Sequence, residues 1–213
     1  MKLSELFSAC LAAKYIHIDG GADYALVKKG RTLYIFFEDS DGKEDWRRNL
    51  DFPAKAYQAE GTVCFWAHRG FLCAWESLLP HLQKSILNPA VTRIIVAGYS
   101  HGGALAALCH EYIWRMRGDL RDRLEGYGFG APRVLWGRIS KDLRKRWDRF
   151  TVIRNQNDIV THLPPAAFGF SHVGGMLVIG EKGKYSSIGA HYAENILAEL
   201  KQQGDGAFGR KRK

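Results

Sequence analysis

The sequence predicts an α/β fold, with a central, mostly parallel sheet covered by helices on both faces. Strand-like and helix-length runs alternate through the middle of the chain, the order that builds such a sheet. The segment TRIIVAG (92–98) is almost wholly apolar, as a central strand buried on both faces requires. A length of 213 residues suits one domain with a sizeable core, expected over 1–203 and followed by a flexible basic tail, 204–213.

The elements follow in order. Leu3, Leu6, Phe7, Cys10 and Leu11 recur at helical spacing and predict an amphipathic first helix. DYALVKKG and RTLYIFFED read as two strands around a Lys-Gly-Arg turn. Residues 38–61 are polar and read as a loop with a short helix. TVCFWAH (62–68) is strand-like, and GFLCAWESLLPHLQKSIL helical. The strand 92–98 leads into a helix over 101–117. LEGYGFG (124–130) is a further strand, after which Pro132 suits the first turn of a helix. RFTVIRN (149–155) is the next strand and NDIVTHLPPAAFGFSHVGG a long loop. MLVIGEKGKYS reads as a hairpin and GAHYAENILAELKQQ as the last helix.

Composition narrows the function classes. The formal charge is +9, part of it in KDLRKRWDR (141–149) and GRKRK (209–213). These read as a solvated helix face and a tail; a transient contact with an anionic lipid surface is the alternative. Without a nucleic-acid motif, nucleic acid is not an expected partner. The histidines show no metal-ligand spacing, so neither metal nor cofactor is expected. Cys10, Cys64, Cys73 and Cys109 form no CxxC pair and read as buried free thiols. Glu5 and Lys14 interrupt what would be a signal-peptide core, and the run from Ile94 to His110 is too short to span a bilayer. A cytoplasmic location is expected. The sequence assigns no oligomeric state.

The chemistry centres on Gly98-Tyr99-Ser100-His101-Gly102. A serine on a sharp turn between strand and helix has its hydroxyl lifted above the sheet edge, and flanking glycines leave room for that turn. The following helix N-terminus offers N–H groups where an oxyanion would form. A nucleophilic serine then needs an acid and a base, in that chain order. Asp158, in a loop just after a strand, fits the acid better than Asp142 or Asp148, which sit in the basic helix-like segment. Of the later histidines, His191 at the start of the last helix fits the base best; His172 and His162 are the alternatives.

From about residue 15 to 200 the chain resembles the class 3 lipases, the α/β-hydrolase family that includes fungal triacylglycerol lipases. GYSHGGALA matches the family's GHSLGGALA, YGFGAPRV its YxFGAPRV, and Arg154–Pro165 its Arg…Asn-x-x-Asp-x-Val-x-x-Leu-Pro-Pro run. Phe170-Ser171-His172 and His68-Arg69-Gly70-Phe71 match two further short motifs. The resemblance implies Ser100 as nucleophile, Asp158 as acid and His191 as base, with His172 elsewhere and His68 structural. It also implies an oxyanion hole from Ser40 and the N–H of His101. The chain departs from the family there: Phe-Arg-Gly-Thr/Ser becomes Phe37-Glu38-Asp39-Ser40, with Trp46 following.

The expected function is a serine carboxylester hydrolase that cleaves acyl esters such as acylglycerols through an acyl-enzyme. Beyond residue 40, Trp46 and Leu50 offer only a small apolar patch among charges, which favours a carboxylester or partly soluble acylglycerol over bulk fat. The altered oxyanion loop motivates a second reading, a weak or inactive hydrolase fold kept as an interaction scaffold.

Overall fold

The computed structural model describes residues 1–18, 22–38 and 53–203. Ser40, Asp39, Trp46, Leu50 and the basic tail lie outside the described residues. The chain opens with helix α1 (Leu3–Leu11), as its apolar spacing predicts, and with strands β1 (Ile16–Ile18), β2 (Ala22–Lys29) and β3 (Thr32–Glu38). β4 (Ala54–Ala59) and β5 (Thr62–His68) precede helix α2 (Arg69–Ile86). β6 (Arg93–Tyr99), helix α3 (His101–Met116) and β7 (Leu124–Phe129) form the centre. β8 (Leu135–Trp136), α4 (Lys141–Lys145), β9 (Phe150–Asn155), β10 (Phe170–Ser171), β11 (Gly175–Ile179) and α5 (Ala193–Gln202) complete the order.

The main sheet runs β1-β2-β3-β6-β7-β9-β11. Its first three strands are antiparallel; from β3 onward every pairing is parallel. Alternation along each strand feeds two cores. Ile35, Phe37, Ile94 and Val96 face α2 and α3, which contribute Leu72, Trp75, Leu78 and Leu105. Phe36, Ile95, Ala97 and Phe129 face α1 and α5, which contribute Leu6, Phe7, Ile196 and Leu200. α3 is buried all round from His101 to Ile113, which explains its alanine-rich sequence between sheet and α2.

Three expectations are corrected. Residues 54–59, read as loop, form β4, paired antiparallel with β5. They were hard to see because AKAYQA buries only Tyr57, stacked on Phe65 at 4.6 Å. Pro132 opens no helix; Leu135 and Trp136 instead join β5 and β10 in a second, four-stranded sheet. Residues 175–179 form no hairpin but a parallel edge strand beside β9. Of the cysteines, Cys10 and Cys109 are buried, Cys64 is half-buried and Cys73 exposed; all four are free thiols.

Candidate active site

Ser100 stands between the last residue of β6 and the first of α3, with φ 53° and ψ −123°. A non-glycine residue held at positive φ costs on the order of 1–3 kcal/mol and persists only where its surroundings enforce it. Here the Ser100 N–H donates to the Phe129 carbonyl at 2.9 Å, and its own carbonyl accepts from Gly103 N–H at 2.9 Å. The glycines supply the space. A Cβ on Gly98 would lie 2.0 Å from the Gly102 carbonyl oxygen, and one on Gly102 would lie 2.2 Å from that of Phe37. Gly98→Ala is therefore expected to destabilise the fold by more than about 3 kcal/mol, because strand and helix must part to admit the methyl. Urea denaturation checks this; a loss under about 1 kcal/mol would mean the elbow yields easily.

The three expected partners meet. The Ser100 hydroxyl lies 3.0 Å from His191 Nε2, and His191 Nδ1 lies 3.0 Å from Asp158 Oδ2. Asp158 is fully buried, its Oδ1 accepting from the Val160 N–H at 2.9 Å. An ionised carboxylate only accepts, so Nδ1 carries the proton and Nε2 presents its lone pair to the serine hydroxyl.

The competing residues lie elsewhere. His172 Nε2 donates to the Thr161 carbonyl at 2.7 Å, and burial pushes its imidazole down to about 4. His162 is also lowered, by burial and by Arg154 and Arg133, and its carbonyl accepts from Arg133. Asp142 pairs with Lys145 on α4. His68 caps α2, its Nδ1 accepting from Phe71 N–H, and its ring stacks on Phe71 at 4.1 Å. Phe71 lies 5.2 Å from the buried ring of His101, the first residue of α3. The strand that leads toward Ser40 ends at Glu38; Ser40 itself is outside the described residues.

Two features of the site were not foreseen. Gly130, at φ +60°, sits against the His191–Asp158 pair: a Cβ there would lie 2.9 Å from His191 Nδ1 and 3.0 Å from Asp158 Oδ2. The motif FGAPRV contained the signal, because a glycine that needs both positive φ and close approach marks a crowded position. The turn carrying His191 is also pinned. Asn195 donates to the Gly189 carbonyl, Asn155 to that of Ala190, and Tyr99 to that of His191, at 2.8, 3.0 and 2.8 Å. The bonds from Asn155 and Tyr99 join residues far apart in the chain, which no local pattern reveals; that from Asn195 spans six residues.

The family description "Lipase (class 3)" matches residues 34–168, more than half of the chain. A lipase of Rhizomucor miehei is 33% identical over 160 residues, which cover 70% of this chain and 43% of that protein. The secreted mono- and diacylglycerol lipase 1 of Fusarium solani is 26% identical, covering 71% and 45%. The match thus spans less than half the length of either relative. A crystal structure of a lipase from Rhizopus microsporus var. chinensis superposes with a TM-score of 0.68 at 21% identity, over 88% of this chain and 71% of that one. These relatives correct the expected cytoplasmic location, since similar proteins from Fusarium and Malassezia are secreted lipases. The interrupted apolar run at the N-terminus explains how residues 3–11 pack as α1 and carries no information on location. The α/β-hydrolase fold, the serine elbow and the family match agree, and the chain belongs to the class 3 lipases.

Proposed function

We propose that this protein is a serine carboxylester hydrolase acting on acyl esters such as mono- and diacylglycerols. The observation that carries the reading is the unbroken line from Ser100 Oγ through His191 to the buried Asp158 carboxylate. His191 Nε2 takes the hydroxyl proton as Ser100 Oγ attacks the ester carbonyl, and Asp158 stabilises the imidazolium. The carbonyl π electrons move onto oxygen, and the backbone N–H of His101, at the positive end of α3, receives that oxyanion together with Ser40. The intermediate collapses to the acyl-enzyme as the alkoxide leaves with the His191 proton. A water, deprotonated by the same nitrogen, attacks the acyl carbonyl, releases the acid and returns the proton to Ser100. No cofactor enters these steps.

The test is hydrolysis of p-nitrophenyl esters from short to long chains, with fluorophosphonate labelling mapped by peptide mass. Turnover with label on Ser100 supports the reading; a folded protein that neither turns over nor labels removes it.

A contact with anionic lipid surfaces draws support from the formal +9 charge and from Trp66, Trp136 and Phe168, which stand exposed on and beside the second sheet. The two indoles meet edge to face, with centroids 6.1 Å apart. Amphipathic rings favour the headgroup region. Replacing both tryptophans by alanine is expected to weaken sedimentation with phosphatidylserine-containing vesicles about ten-fold. Unchanged sedimentation would remove this contact.

A further inference from the structure

The residue before the nucleophile does more than fill the elbow. Tyr99 ends β6, and its ring stacks on the imidazole of His191 with centroids 5.2 Å apart and planes 21° from parallel. Its hydroxyl donates to the carbonyl of the same His191 at 2.8 Å. One side chain thus holds both the face and the backbone of the histidine. Its own place is set from behind: Phe7 of α1 lies 5.8 Å from the Tyr99 ring and stacks on Phe129 of β7 at 4.3 Å. Phe7 is fully buried, so this support is part of the core. Burial, with Asp158 and Glu194 adding to it, pushes the Tyr99 phenol well above its ordinary value, and the hydroxyl keeps its proton for the carbonyl.

We propose that Tyr99 is a positioning residue for His191, its hydroxyl fixing the height of the imidazole and its π face favouring the imidazolium formed during acyl transfer. The inference rests on the acyl-transfer reading above. An aromatic face within about 6 Å attracts a cation, and the attraction grows where water is excluded. Asp158 holds the imidazole edge while Tyr99 covers a face, so the two act from perpendicular directions. Among the described residues, the charged and titratable groups around this pair are Asp158, from the loop after β9, with His162 near it, and Tyr192 and Glu194 at the start of α5; Tyr99 ends β6 and Ser100 follows it at the elbow.

Two substitutions separate the roles. Tyr99→Phe keeps the ring and loses the hydroxyl; kcat is expected to fall about three-fold, with KM and the acidic limb of the kcat/KM–pH profile unchanged. Tyr99→Leu loses both; kcat is expected to fall about thirty-fold. With the imidazolium less favoured, the neutral base persists to lower pH, and the acidic limb moves down by roughly half to one pH unit. A leucine variant that melts cooperatively yet leaves the limb unmoved overturns the proposal, since packing alone predicts that result. Should the leucine variant not fold, an unchanged kcat in Tyr99→Phe overturns it instead. NMR titration of the His191 ring proton gives the same reading without turnover. Failure of the proposal is therefore distinguishable from failure of the hydrolase reading, which the Ser100→Ala rate decides.

Discussion

Ser100→Ala is expected to lower kcat for p-nitrophenyl esters by about a million-fold while leaving the melting temperature nearly unchanged. The size follows from how such groups act together: once the attacking oxygen is gone, the base has no proton to take and the acid nothing to orient. The residual rate comes from the oxyanion donors and substrate binding alone. The fold has little reason to respond. Alanine keeps the backbone bonds of Ser100 to Phe129 and Gly103, and it meets the same positive φ with the same Cβ. The comparison also separates an enzyme from a scaffold. Equal rates for both proteins would assign any observed hydrolysis to something other than this serine and leave the fold as a binding platform.

Asp158→Asn is expected to cost about 10⁴-fold in kcat, although the side chain keeps its shape. The carboxylate accepts twice, from the Val160 N–H on Oδ1 and from His191 Nδ1 on Oδ2. An amide has one acceptor oxygen and one donor nitrogen. Turned one way, it sets its NH₂ against the Val160 N–H in a fully buried place. Turned the other way, it donates to Nδ1 and drives the proton onto Nε2, where the base must be empty to accept from Ser100. Either arrangement fails, the first in stability and the second in chemistry. Steady-state kinetics beside thermal denaturation tells which occurs; a rate loss below ten-fold would remove Asp158 from the machinery.

Much of this is legible in the sequence, for physical reasons that differ by residue. Val96, Ala97 and Gly98 announce a central strand because both of its faces are covered, and no polar residue survives there. Ser100 is legible because a sharp elbow imposes its glycines locally, within five residues. Asp158 and His191 were placed by order along the chain, and the described geometry brings both to the serine. β4 is not legible because an edge strand of sequence AKAYQA, which buries Tyr57 alone, carries little apolar signal. β11 reads as half a hairpin because Gly180 and Gly183, both at positive φ, give a turn signal that here ends a parallel edge strand. Gly130, Asn155 and Tyr99 were missed as site residues since their partners lie far away in sequence. Ser40 is named from the resemblance and, with Asp39, stands outside the described residues, whereas Glu38 ends β3.

The fastening of residues 189–191 bears on how this chemistry could be transplanted or diversified. Its three anchors come from the ends of two strands, β6 and β9, with β7 between them, and from α5, so the pentapeptide around the nucleophile is not a portable cassette. A designer moving it to another scaffold would have to carry Tyr99, Asn155 and Asn195 along with it.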